Sequence, residues 1–296
     1  MPVSTIITKL HHYGHLRVPI QDLDKLTLSH PLVIDAARSY QQMMAYEFQP
    51  LVAQMHGRMP VYDGHIGPAT MALFNIARCD VPDFAFDEAT GAGSWPSGCN
   101  PNWALNHVIT VAFTNKPPVF LAPVFETVWQ NVVAAYAEIG IYLIREDGNA
   151  NANITASFVT PDGGWIGLAI VGRGQRCNTS IWARFDVGYG RNFPQDRLIN
   201  LWTSLVKHEL GHNMGLSHSQ GGVMNPSILY GLPVSWIGDP SHPLLVRWFG
   251  GVPVPIDPQG PEMWVTQCLK SDRGREICLP LHPPKPVSTT TGLLGV

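Results

Sequence analysis

The sequence predicts an α/β domain of the sandwich kind, a sheet packed on long helices, preceded by a small all-α unit. Three observations lead there. Residues 31–84 carry apolar positions at helical spacing, and from Trp103 onward the chain runs strand, helix, several short strands and a long helix. Between them "DEATGAGSWPSGCNPN", residues 87–102, is rich in Gly, Ser, Pro and Asn and has no periodicity. A chain of 296 residues is long enough to give both units a core.

The elements follow in order. Residues 1–30 form an N-terminal segment whose clustered histidines, "HHYGH" at 11–15, are expected in solvent. In the helical unit, 31–84, "HPLVIDAARSYQQMMAYEF" sets Val33, Ala37, Tyr40, Met44 and Phe48 on one stripe. "VYDGHIGPATMALFNIA" then gives a turn at Asp63-Gly64, a helix start at Pro68, and Met71, Leu73, Phe74 and Ile76. A linker is read at 85–102 and the second domain at 103–250. There "HVITVAF" alternates Ile109, Val111 and Phe113, and "APVFETVWQNVVAAYAEIG" stripes Phe125, Val128, Trp129, Val132 and Tyr136 before Gly140. Short strands are read at "NITASFV", "GWIGLAIVG" and "SIWARFD", a long helix at "PQDRLINLWTSLVKHELGHNMG" and a shorter one at "DPSHPLLVRWFGG". Residues 251–296 are a C-terminal extension.

Composition excludes some functions. A net charge of −3 offers no basic field for nucleic acid. With 14% charged residues, 28 glycines and 26 prolines, the chain reads as loop-rich and globular, and a monomer is expected. No apolar run approaches the roughly 20 residues that span a bilayer. The start, "MPVSTIITKLHHYGHL", lacks the apolar core and small-residue cleavage site of a standard secretion signal. Five cysteines, Cys79, Cys99, Cys177, Cys268 and Cys278, make an odd count. In an oxidising compartment two disulfides and one free thiol are simplest. Cys268 and Cys278 bracket a turn centred on Asp272-Arg273-Gly274, which favours pairing them; Cys99 with Cys177 then leaves Cys79 free. Five reduced, buried thiols are the alternative.

The chemistry concentrates in "VKHELGHNMGLSHSQGGVMNP", residues 206–226. Leu201, Leu205, His208 and His212 recur at steps of four, three and four, so an apolar stripe runs into two histidines one turn apart. Both can offer ring nitrogens to one ion. Glu209, about 100° round the helix, is poorly placed as a ligand but can reach a water at the metal's open position. His218 would point about 240° away and about 9 Å further along a continuous helix, so it joins the site only through a sharp turn. Gly215 stands where that turn needs positive φ. Three imidazoles leave zinc one position for a water, whose proton Glu209 would accept and pass to a leaving amine.

Residues 208–218 resemble the extended zinc motif of the metzincin metallopeptidases, and "GGVMNPS" resembles their methionine turn. The resemblance implies a metzincin-type α/β (α+β) fold, a twisted, mostly parallel sheet with an antiparallel edge strand, and Met224 as an apolar floor beneath the zinc ligands. Matrixins fit best, through Ser219, Met224-Asn225-Pro226 and "GLAIVG", which is similar to the edge strand that holds substrate; this implies Gly167, Leu168 and Ala169 as peptide-binding backbone. Vertebrate matrixins also carry a His- and Asp-rich loop for structural zinc and calcium. Here only "TPDGGW" with Asp162 stands near that place, so additional ions stay unassigned. "ARCDVPD" resembles the matrixin cysteine switch, Pro-Arg-Cys-Gly-x-Pro-Asp. It implies Cys79 as a fourth zinc ligand in a latent form, braced by Arg78 and Asp83. Ala77 replaces the motif's proline and Asp80 its glycine; the Asp80 charge, near Glu209, is expected to weaken latency. Activation would cut between about residues 84 and 100.

Residues 31–84 also resemble the peptidoglycan-binding-like fold in their Asp-Gly, Gly and Thr pattern, which adds cell-wall glycan as a candidate partner. The sequence thus reads as an exported, extracellular zinc endopeptidase acting on protein or peptide substrates and made as a zymogen. The alternative is a cell-wall-binding protein with an accessory protease. The pocket that selects substrate side chains is expected after Met224, through Tyr230.

Overall fold

A computed structural model describes residues 1–56, 62–84, 108–162, 164–171, 181–219, 221–227, 235–237, 239, 241, 245, 266–270 and 276–280. The linker, Cys99, Cys177, Tyr230 and most of the expected helix at 239–251 lie outside these residues.

The helical unit begins earlier than its periodicity suggested. Helix α1 (Val3–His12), a 3₁₀ turn (Ile20–Lys25), α2 (Pro31–His56) and α3 (Pro68–Phe74) share one core. Ile6, Ile7, Leu10, Tyr13 and Leu16 pack with Val33, Ala37, Tyr40, Met44, Leu73 and Phe74. The "HHYGH" stretch is therefore not a solvated cluster. His11 is buried and donates to the Val18 carbonyl at 3.0 Å, and His15 is buried as well. The spacing of Ile6, Ile7 and Leu10 carried that helix; the histidines beside them obscured it. Gln41 pins the Asp63-Gly64 turn, accepting from the Gly64 amide at 2.9 Å and donating to Thr70 Oγ1 at 2.9 Å.

The second domain is a five-stranded sheet in the order β2–β1–β3–β5–β4. Strands β1 (Val108–Phe113), β2 (Tyr142–Arg145), β3 (Ile154–Val159) and β5 (Ile181–Asp186) are parallel, and β4 (Gly167–Ala169) closes one edge antiparallel to β5. Strand β2 was not legible: four residues of mixed burial show no alternation. The face carrying Ile154, Ala156 and Phe158 of β3 and Ile181, Ala183 and Phe185 of β5 is buried, under α4 (Ala122–Ala137) and α5 (Gln195–Asn213). Its centre is aromatic, with Phe113, Phe158 and Phe185 in a row and Phe125, Trp129 and Trp202 packed on them.

Helix α5 is the axis of the domain. It packs on α4 along one side and on β4 and β5 along another. Every residue from Leu201 to Asn213 is buried, so the narrow stripe read from the sequence is in fact a helix enclosed all round. Near the C-terminus, β6 (Thr266–Lys270) and β7 (Glu276–Pro280) pair antiparallel with Cys268 opposite Cys278, the hairpin expected there.

Phe158→Ala removes the ring that touches Phe113, Phe125, Phe185 and Trp202. It should cost about 3–5 kcal/mol, read as a lowered urea midpoint of the full chain.

Candidate metal centre

The last turn of α5 carries His208 and His212, and the turn beyond it brings in His218. Met214 is the C-cap and Gly215 follows at φ +100°. The Gly215 amide donates to the His212 carbonyl at 2.8 Å and the Leu216 amide to the Gly211 carbonyl at 3.0 Å. That pair of bonds is a Schellman motif, which ends the helix and reverses the chain. His218 lands beside the other two, as the placement of Gly215 predicts.

The three rings meet through Nε2. His208 and His212 stand 3.0 Å apart, His212 and His218 3.1 Å, His208 and His218 3.3 Å. Their other nitrogens decide what these contacts are. His208 Nδ1 faces the Val223 carbonyl and His212 Nδ1 the Leu216 carbonyl, each at 2.7 Å, while His218 Nδ1 faces Asp83 Oδ1 at 2.6 Å. Each partner only accepts, so each Nδ1 carries the proton and each Nε2 of a neutral ring is a bare lone pair. Burial pulls all three imidazoles below their ordinary pKa, so they are neutral. Three lone pairs cannot hydrogen-bond one another; a shared cation explains their convergence. Tetrahedral zinc at about 2.0–2.1 Å from nitrogen would space its ligand nitrogens by roughly 3.3 Å, which these rings match.

Cys79 completes the cluster. Its Sγ lies 3.6 Å from His212 Nε2, and the ligand atoms of Cys79, His208, His212 and His218 all fall within 4.8 Å of one another. Cys79 is a free, buried thiol. Burial and the Glu209 carboxylate push its pKa well up, so a thiolate there needs a neighbouring cation. Among the described residues this is the one such His, Cys and carboxylate group, and Asp162 instead accepts from Trp165 Nε1.

Glu209 lies beside the cluster. Its Oε2 is 3.6 Å from Cys79 Sγ, and among the described residues its buried Oε1 has no hydrogen-bond partner. Burial raises its pKa to about 8, the Cys79 hydrogen bond opposing and the Asp80 charge adding to the rise. Across from it is Gly167 of the edge strand. A Cβ there would come within 2.0 Å of Glu209 Oε1. Gly211, between the two helical histidines, plays the same part below: a Cβ would meet Met224 Sδ at 2.7 Å. Met224 is thus packed under the helix turn that carries the rings and is fully buried. Gly167 was expected from the edge strand alone; the tight approach of Glu209 and Met224 was not readable from one-dimensional spacing.

The segment carrying Cys79 runs along β4. Cys79 bridges Gly167 in parallel, the Asp80 amide donates to the Gly167 carbonyl at 3.0 Å, and the Ile166 amide donates to the Arg78 carbonyl at 3.1 Å. From the other side the Cys79 amide reaches the Pro226 carbonyl at 2.9 Å. Arg78 is buried, paired with Asp83 and laid over the Tyr13 ring at 3.7 Å. Burial alone would raise Asp83, but Arg78 and bonds from His15 and His218 hold its carboxyl well below the usual range. Asp80 does not repel its way out: its carboxylate accepts from His12 Nε2 at 3.0 Å. Sequence reasoning missed His12, His15 and the buried Asp239, whose carboxylate accepts the Val223 amide; only the departure at Asp80 pointed to a compensating partner.

Residues 108–219 match the family model of reprolysin-like metallopeptidases, family M12B. The matched span, less than half of the chain, takes in β1 to β5, α4, α5 and all three histidines. That description names reprolysin-like peptidases and does not bear out the matrixin branch that the switch and methionine turn resemble. A solved structure, that of myroilysin, is 20% identical over 38% of this chain and 48% of that one, with a TM-score of 0.27, a similarity too loose to bear on fold or function. The chain thus spans about half of that protein's length. No curated protein matches the chain.

Gly215→Ala should cost about 1–2 kcal/mol, because a side chain opposes its left-handed backbone. It should also weaken zinc binding by displacing His218. Thermal unfolding and a zinc titration of the full chain read the two effects.

Proposed function

We propose that the protein is a zinc endopeptidase of the metzincin type, made latent by Cys79. The observation that carries this is the four-donor cluster itself, three neutral imidazoles and one thiol with a buried carboxylate against the sulfur. His208, His212 and His218 would hold the metal. When bound, zinc would acidify a water and polarise the scissile carbonyl. Glu209 takes the water's proton on Oε2, the oxygen now facing Cys79, and returns it to the leaving amine.

Latency follows from occupancy. Cys79 Sγ takes the place between Glu209 and the imidazoles that the water needs, and residues 78–80 take the β4 edge along which a peptide would add as a strand. This is a matrixin-like switch on a domain whose family match is reprolysin-like. Activation requires cutting behind Asp83 and releasing the helical unit. A protein silent until cut suits export and extracellular action on protein substrates. The metallopeptidase match favours this reading over the cell-wall-binding alternative.

Three outcomes test it. In the Cys79→Ala chain, which is not blocked by the thiol, Glu209→Ala should lose about 10²–10⁴-fold in cleavage of a peptide library while keeping its zinc. Cys79→Ala should cleave without prior processing; equal activity of the two full chains would rule the switch out. In the same Cys79→Ala chain, Gly167→Ala, which forces Glu209 aside, should lose about 10²-fold in kcat with unchanged zinc content.

The Asp80 departure gives a further expectation. The pair is partly exposed, so His12→Ala should speed alkylation of Cys79 only about 2–5-fold. In an Asp80→Gly background the same change should do nothing, since the charge it balances is gone.

A further inference from the structure

Two of the three imidazoles take their orientation from the domain that carries them. Val223 and Leu216 supply the carbonyls behind His208 and His212. The third does not. His218 Nδ1 is bonded to Asp83, 135 positions earlier and in the segment that carries Cys79. Asp83 is itself held from behind: its Oδ2 accepts from His15 Nε2 at 2.7 Å, and His15 Nδ1 meets Ser39 Oγ at 2.8 Å. Arg78 pairs with both carboxylate oxygens. His15, Asp83 and His218 are all fully enclosed at their side chains. Ser39 of α2, His15 behind α1 and Asp83 thus form one line ending on the ring of a metal-capable histidine.

We propose that Asp83 is a removable positioning residue for the metal centre. The helical unit supplies the thiol that blocks the site and also the carboxylate that orients its third imidazole. This rests on the zinc reading above but not on the thiol. A carboxylate behind a ligating histidine fixes its tautomer and raises its basicity, and its loss typically costs about 10–100-fold in metal affinity. His218 needs that help more than its partners do. It lies beyond the helix, on 216–219, which has no regular secondary structure, whereas His208 and His212 are set by α5. Release of the helical unit therefore takes away two supports at once, and His218 becomes the least constrained of the three.

The test separates the carboxylate from the thiol. Zinc affinity is measured by chelator competition on folded full-length protein in which Cys79→Ala has already removed the sulfur. Adding Asp83→Asn should weaken zinc about 10–100-fold. His15→Gln, which leaves the carboxylate but removes one of its supports, should weaken zinc less and in the same direction. In zinc-loaded wild type, the His218 Nδ1 proton should resonate far downfield, as a carboxylate-bonded imidazole does, and that signal should vanish in Asp83→Asn. Zinc affinity within twofold of the parent in Asp83→Asn overturns the proposal. If that variant does not fold, unchanged affinity in His15→Gln with no carboxylate-bonded His218 proton in wild type overturns it equally. If Cys79→Ala alone leaves activity unchanged, latency through the thiol fails while this measurement still stands.

Discussion

Three ring nitrogens pointing lone pairs at one another, inside a protein, is an arrangement that costs energy unless something positive sits among them. Each of the three rings has its proton fixed on the far nitrogen by an acceptor, so none can turn the contact into a hydrogen bond. Burial forbids the alternative of charging them. Much of the domain can be traced to holding this frustrated meeting in place: α5 enclosed on all sides, a Schellman reversal at Gly215, Met224 wedged under Gly211, and Asp239 anchoring the turn above it. A site that rigid suits a metal that has to keep one position open.

The same need explains why the helical unit and the sheet domain are not independent in this form of the chain. Their junction is polar and buried: Arg78 between Tyr13 and Asp83, Asp83 between His15 and His218, Cys79 between Glu209 and His212. Buried charges of this kind contribute little net stability when complete but are costly to break singly. An interface so made is all-or-none, which is what the proposed latent state would need. It also shows how Asp80, an acid where the matrixin motif has glycine, is accommodated. His12 faces it from α1.

Local rules carried the reading of the site a long way. The four-residue step from His208 to His212 and the turn at Gly215 follow from helix and turn geometry, while the methionine at 224 was read only from the resemblance to the metzincin methionine turn. The strands with clear alternation, β1, β3 and β5, were found, while β2 was too short to show a period. The first thirty residues failed for another reason. Their helix is marked by Ile6, Ile7 and Leu10, but histidines at 11, 12 and 15 look like solvent residues until their partners are known, and those partners are Val18, Asp80, Asp83 and Ser39.

What the sequence determined by itself was therefore whatever depends on periodicity and backbone freedom: a sheet packed on long helices, and three histidines and an acid disposed by one helix and one turn. What only the tertiary structure decided was which distant groups face each other. That Glu209 leaves no room for a side chain at 167, that Asp83 backs His218, and that His12 answers Asp80 are facts about pairs far apart along the chain. No local preference encodes such pairs, because their energy exists only once the two segments have been packed into contact.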